Sequence, residues 1–158
     1  MGARKQTSPS EKTEWLHVAV RYLARWDRSI AQVEQFLLAK GATPAQVRQT
    51  ISRLRDLRYL DDQGFAERWI EGRLARQPMG RERLRAELQA KGVDESVAEG
   101  ALAVSLDGVD EETLARQVLK VTQRRGRQLT PMQMARLLRQ RGFEDETIDR
   151  IIGPMGLD

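Results

Sequence analysis

The sequence predicts an all-α protein, a tandem array of three three-helix repeats that is elongated and curved. Three observations carry this expectation. One pattern recurs along the 158 residues with a period of about fifty. Within each copy, apolar residues fall at helical spacing. The composition, 32% charged and 40% hydrophobic with only 5% aromatic residues and five prolines, suits helices packed on Leu, Val, Ile and Ala better than sheets.

Three segments align without gaps: Ser29 to Ile51, Gly80 to Leu102 and Thr130 to Ile152. Each has a glycine twelve residues after its start, at Gly41, Gly92 and Gly142. Leu37, Leu88 and Leu138 lie four residues before these glycines, and Val33, Leu84 and Met134 eight before, so each pair shares a helical face. A left-handed glycine would end the helix, and the apolar residue after it (Ala42, Val93 or Phe143) can then touch the leucine in the last turn. Lys40, Lys91 and Arg141, just before the glycines, answer the negative end of the helix dipole. Ser29 with Gln32 and Thr130 with Gln133 have capping-box spacing, and Pro131 suits a first helical position.

A second helix should follow each glycine at once. Thr43, Pro44 and Gln46 combine a cap, a first-turn proline and a capping-box partner, while Asp94 and Glu144 stand at the equivalent cap positions. Ala42 with Val47 and Phe143 with Ile148 have hydrophobic-staple spacing. A further helix precedes each segment. Leu60-Asp61 with Phe65 and Val109-Asp110 with Leu114 read as cap plus staple, and the first copy offers a face of Trp15, Val18 or Ala19, Tyr22 and Trp26. The expected organisation is a flexible tail (1–10), repeats at 11–59, 60–108 and 109–153, closed by Gly153-Pro154, and a second tail (154–158). A unit of this size is marginal alone, so neighbours should pack together.

The absence of cysteine excludes disulfides and thiolate metal sites and fits a reducing, cytoplasmic setting. Residues Met1 to Ser10 lack the apolar core of a leader, and no apolar stretch reaches membrane-span length. His17 reads as a partly exposed residue of the first helix.

Basic charge is concentrated. From Ala115 through Arg141 there are eight cations (Arg116, Lys120, Arg124, Arg125, Arg127, Arg136, Arg139, Arg141) and no acid, against a net charge of +4 for the whole chain. On a continuous helix Leu114, Val118 and Val121 form the inner face, and Arg116, Lys120, Arg124 and Arg127 an opposite stripe suited to phosphates or an acidic protein. Arg73, Arg76, Arg81 and Arg85 make a second patch, mixed with Glu82. A solvated face normally mixes both signs, which favours binding over solubility for the first stretch. Nothing marks a base-reading helix, so nucleic-acid contacts should run through phosphates and weaken with salt.

Signatures of catalysis are missing. There is no Walker-type glycine loop, no Cys–His pair and no histidine cluster, and Asp61-Asp62 is better explained as a cap and dipole partner than as a carboxylate site. Phe65, Trp69 and Ile70 read as core. The sequence points to a protein that binds, without cofactor or metal.

The chain resembles the RecX family. The central copy carries Leu60-Asp61-Asp62, Phe65-Ala66-Glu67, Arg73, Gly80, Arg83-Leu84, Glu87-Leu88 and Lys91-Gly92-Val93. The first adds Tyr22-Leu23-Ala24, Ser29 and Leu37 through Gly41, and the last Leu137-Leu138, Arg141-Gly142-Phe143 and Ile148. The sequence departs at Gln32-Val33, where the family usually has Glu-Leu, and at Trp26, where a basic residue is common. The resemblance implies a tandem three-helix fold and a modulator, usually an inhibitor, of the RecA recombinase. Such a protein lodges in the groove of the RecA–DNA filament and limits its ATPase, strand-exchange and co-protease activities in DNA repair and the SOS response. A monomer that touches DNA only weakly is expected. The alternative is a stand-alone helix-turn-helix-like DNA-binding protein, since three-helix units also occur there.

Overall fold

The structure, a computed structural model, describes residues 9–153, with side chains from residue 13. Most of the expected N-terminal tail and all of the C-terminal one lie outside the described residues. Nine helices and no strand occur among them: α1 (Pro9–Arg25), α2 (Ile30–Ala39), α3 (Pro44–Asp56), α4 (Asp62–Arg76), α5 (Arg81–Ala90), α6 (Glu95–Ser105), α7 (Glu111–Arg124), α8 (Pro131–Gln140) and α9 (Asp145–Ile152). The all-α tandem-repeat expectation holds. The chain forms two compact units, Met1–Phe65 with Lys91–Val93, and Ala66–Ala90 with Asp94–Asp158.

In the first unit α1, α2 and α3 pack on one another. Their core is Ala19, Val33, Leu37, Val47, Ile51 and Leu54, joined by Leu60. Trp15, Val18 and Tyr22 are partly buried against it, and the Tyr22 ring stacks on Phe36 with centroids 3.8 Å apart. Trp26 does not share that face. The helix stops at Arg25, so the Trp26 ring leaves the apolar stripe, is 62% exposed and lies beside the Arg28 guanidinium. His17 is exposed on α1.

In the second unit α5 packs on α6, and α9 on both α7 and α8. Leu84, Leu88, Ala98, Leu102, Val118, Leu138, Ile148 and Ile151 are buried. The leucines four residues before the glycines, Leu37, Leu88 and Leu138, have no exposed surface at all. Truncating such a side chain to alanine typically costs about 2–5 kcal/mol.

Helix ends follow local chemistry. Ser29/Gln32, Thr43/Gln46 and Thr130/Gln133 all form reciprocal capping boxes, each about 1 kcal/mol of helix stability. Asp94 and Glu144 hold the N-cap positions of α6 and α9 but make no side-chain capping bond. There the buried pairs Phe143 with Ile148 and Val93 with Ala98 anchor the helix start instead. Val109, expected to staple α7, is 43% exposed; Asp110 alone caps that helix, accepting from the Thr113 N–H.

The three predicted glycines have φ of +103° (Gly41), +79° (Gly92) and +86° (Gly142). At Gly41 and Gly142 the turn is a full Schellman motif. The Ala42 and Phe143 N–H groups reach back to the Leu37 and Leu138 carbonyls at 3.1 Å.

These turns also serve as docking points. Within the first unit, the Ser29 hydroxyl donates to the Lys91 carbonyl, and Ala31 lies where a Cβ on Gly92 would stand. Within the second, Gly80 N–H donates to the Arg141 carbonyl at 2.7 Å and Glu82 N–H to the Gly142 carbonyl at 3.2 Å. A Cβ on Gly142 would overlap the Arg83 backbone. A carboxylate completes each contact: Asp62 accepts from Ile30 N–H at 2.9 Å, and Glu111 from Arg81 N–H at 3.1 Å. Asp62 therefore caps α2, a neighbour, rather than only its own helix.

The first-segment turn is different, because nothing lies within 4 Å of a Cβ placed on Gly41. Gly41→Ala should meet only the left-handed backbone cost, about 1–2 kcal/mol. Gly142→Ala must also displace the Arg83 backbone, so its loss in urea unfolding should be clearly larger. Equal losses would detach the glycine from the docking contact.

Candidate functional site

The basic surface is built on α7 and α8 of the second unit. In α7 Leu114, Ala115, Val118 and Leu119 are buried, and Arg116, Lys120 and Arg124 are exposed. Val121, read as an inner-face residue, sits at the edge and is 37% exposed. The stripe is shorter than expected. Arg125 is the C-cap and Gly126 turns left-handed at φ +80°, so Arg127 lies beyond the helix and off its face. A helix cannot continue through a left-handed residue.

Ion pairs thin the charge further. Arg116 lies 3.7 Å from Glu112, one turn earlier, and Arg139 bonds Asp145 at 2.9 Å. Lys120, Arg124, Arg125, Arg127 and Arg136 form no ion pair among the described residues and are exposed. The run of one sign in the sequence is thus partly neutralised from its acidic flanks.

The second patch separates by role. Arg73 forks onto Glu87 through Nε at 2.9 Å and Nη2 at 2.8 Å, and Trp69 Nε1 donates to the same carboxylate at 3.1 Å. Arg85 bridges Glu82 and Glu99. Half-buried Arg81 contributes its backbone N–H to Glu111. Arg73 and Arg85 are therefore internal ties between helices. Arg76 alone of the four is exposed without an ion pair.

Burial works against the Glu87 charge, but the Arg73, Trp69 and Arg83 donors outweigh it and hold the carboxyl below its ordinary range. Glu111 is shifted the other way. Burial raises it, only partly offset by the Arg81 N–H and charge, and Glu144 and Glu82 add to the rise.

Arg141 was assigned to the end of α8, and it is that helix's C-cap. It does more than that. Its half-buried side chain lines a cleft of about 90 Å3 with Arg76, Arg125, Pro78, Val118 and Val121. Arg76 and Arg141 are 65 positions apart in the chain, and no local pattern links them. Among the described residues no group of three or more His, Cys, Asp or Glu side chains could hold a metal ion, and no helix is long and apolar enough to cross a membrane.

Repeated short helices, helix-end docking contacts and an exposed cationic face define a helical-repeat protein. Residues 16–54 match the first three-helix domain of RecX and residues 61–102 the second. The regulatory protein RecX of Treponema pallidum is 36% identical over 135 residues, covering 85% of this chain and 81% of that one. That of Mycolicibacterium vanbaalenii is 34% identical over 108 residues, covering 68% of this chain; the chain spans only 58% of that longer relative. The crystal structure of RecX from Lactobacillus salivarius superposes with a TM-score of 0.80 at 22% identity, over 96% of this chain and all of that one. The chain belongs to the RecX family of regulatory proteins.

Glu87→Gln tests the tie described above. The carboxyl is depressed in the folded state, so its contribution is fully present above the unfolded value, about 4.3, and is lost as pH falls through the lower folded value. At neutral pH the variant should lose on the order of 1–3 kcal/mol. In acid its stability should converge with that of the parent. Parallel curves from pH 7 to 2 in thermal melts would remove Glu87 from the account.

Proposed function

We propose that this chain binds the RecA recombinase filament on DNA. It lowers the filament's ATPase, strand-exchange and co-protease output in DNA repair and the SOS response. The chain acts as a monomeric, cytoplasmic regulator that does no chemistry of its own, built from repeats at 11–59, 60–108 and 109–153. Family membership supports the regulatory role. The observation that carries the partner chemistry is the set of exposed second-unit cations that form no ion pair among the described residues: Lys120, Arg124, Arg125, Arg127, Arg136 and Arg76. Charges already matched inside the fold have little left for a partner, whereas unmatched ones steer and hold an anionic surface. Contacts to DNA within the filament run through phosphates and weaken with salt.

Co-sedimentation and ATPase assays with RecA on single-stranded DNA test this. The wild type should bind at physiological salt and slow hydrolysis. A Lys120→Glu, Arg124→Glu, Arg136→Glu variant should keep its helicity and lose binding by about tenfold or more, equivalent to about 1.4 kcal/mol. Arg116→Glu should cost less, since Arg116 already faces Glu112. A wild type that neither binds nor slows hydrolysis would refute the proposal. Tight, sequence-selective binding to naked duplex without recombinase would favour the DNA-binding alternative.

A further inference from the structure

Three arginines from distant parts of the chain line one cleft in the second unit. Arg76 ends α4, Arg125 caps α7 and Arg141 caps α8, and Gln77, Pro78, Val118, Val121 and Thr122 complete the lining. No carboxylate lines the cleft, and none of the three guanidinium groups has an ion pair among the described residues. Elsewhere in the same unit the fold does the opposite, placing Glu87 against Arg73, and Glu82 and Glu99 against Arg85. Burial, then the positive neighbours Arg83, Arg125 and Arg73, push the Arg141 guanidinium below its ordinary pKa. An arginine does not shed its proton in a protein. The repulsion is therefore retained in the folded chain, and a bound anion would relieve it.

We infer that this cleft is an oxyanion site that seats one backbone phosphate of a single-stranded nucleic acid. Guanidinium forks match phosphate oxygens in pairs, and a cleft lined by three arginines and no carboxylate favours an oxyanion. A strand fits better than a free ion for two reasons. The polar and apolar lining residues Gln77, Pro78, Val121 and Thr122 offer contact to a sugar, and exposed Arg124 and Arg127 lie close to Arg125 in the chain and add positive charge to the same segment. The inference deepens the proposed function by giving the same basic face a direct strand contact. Its test omits the recombinase, so the two readings fail separately.

The experiment is a salt series of oligothymidylate binding, read by fluorescence anisotropy. The variant is Arg76→Gln with Arg125→Gln, both exposed, so the fold should tolerate the change. Arg53→Gln with Arg55→Gln on α3 removes the same charge from exposed positions in the first unit. The cleft variant should bind more weakly, and its slope of log affinity against log salt should shrink by about 0.7 for one lost phosphate contact. The α3 variant should keep the parental slope. An unchanged slope in the cleft variant, equal losses in both variants, or no oligothymidylate binding by the wild type would overturn the assignment. So would loss of poly-glutamate binding alone, which would point to an acidic protein segment. Stabilisation of the wild type by inorganic phosphate without strand binding would point to a free ion and equally overturn it. Filament co-sedimentation by the wild type, with both arginines in place, reads the proposed function independently.

Discussion

The architecture depends on a backbone constraint, the left-handed residue that ends a short helix and lets another chain segment approach its last carbonyls. A helix of ten residues leaves four carbonyls without internal partners. At Gly142 the Schellman bonds take the Leu138 and Arg139 carbonyls, while Gly80 and Glu82 N–H take those of Arg141 and Gly142. The same turn therefore satisfies the end of α8 and the start of α5. Only a residue without a Cβ permits both the positive φ and the close approach. Lys91 and Gly92 repeat the arrangement against Ser29 and Ala31 in the first unit.

Much of this was legible in the sequence because it is local. Glycine spacing, three capping boxes and the leucines at fixed distance from each turn are encoded within a dozen residues, and the structure contains them all. The misreadings have two causes: a helix that stops before the apolar or basic spacing does, and tertiary partners that local pattern does not show. Trp26 continues the spacing of Trp15 and Tyr22, but α1 has already stopped. Arg127 continues the spacing of Lys120 and Arg124, but Gly126 intervenes; its left-handed turn was an available signal, since glycine had been read correctly at 41, 92 and 142. Asp62 looked like a partner for its own helix and caps α2 from 32 residues away.

The charged surface shows the same limit. A count of cations between Ala115 and Arg141 treats them alike, whereas the fold sorts them by whether a carboxylate can reach. Glu112 and Asp145, just outside that stretch, reach in to Arg116 and Arg139. Glu87 and Glu99 turn Arg73 and Arg85 into ties that hold helices at fixed spacing. What remains unmatched is smaller than the sequence suggested and more concentrated. It includes Arg141, whose place at a helix end had seemed a sufficient explanation.

The contacts around Gly80 and Gly142 have a consequence for how such a protein diverges. Their hydrogen bonds are made by main-chain atoms, which every residue other than proline can supply. Side chains over most of the exterior can therefore be exchanged without disturbing the joint, and selection on partner preference can act on the arginines almost independently of selection on shape. The exception is the few positions where a methyl group would not fit, and these are where drift should be slowest.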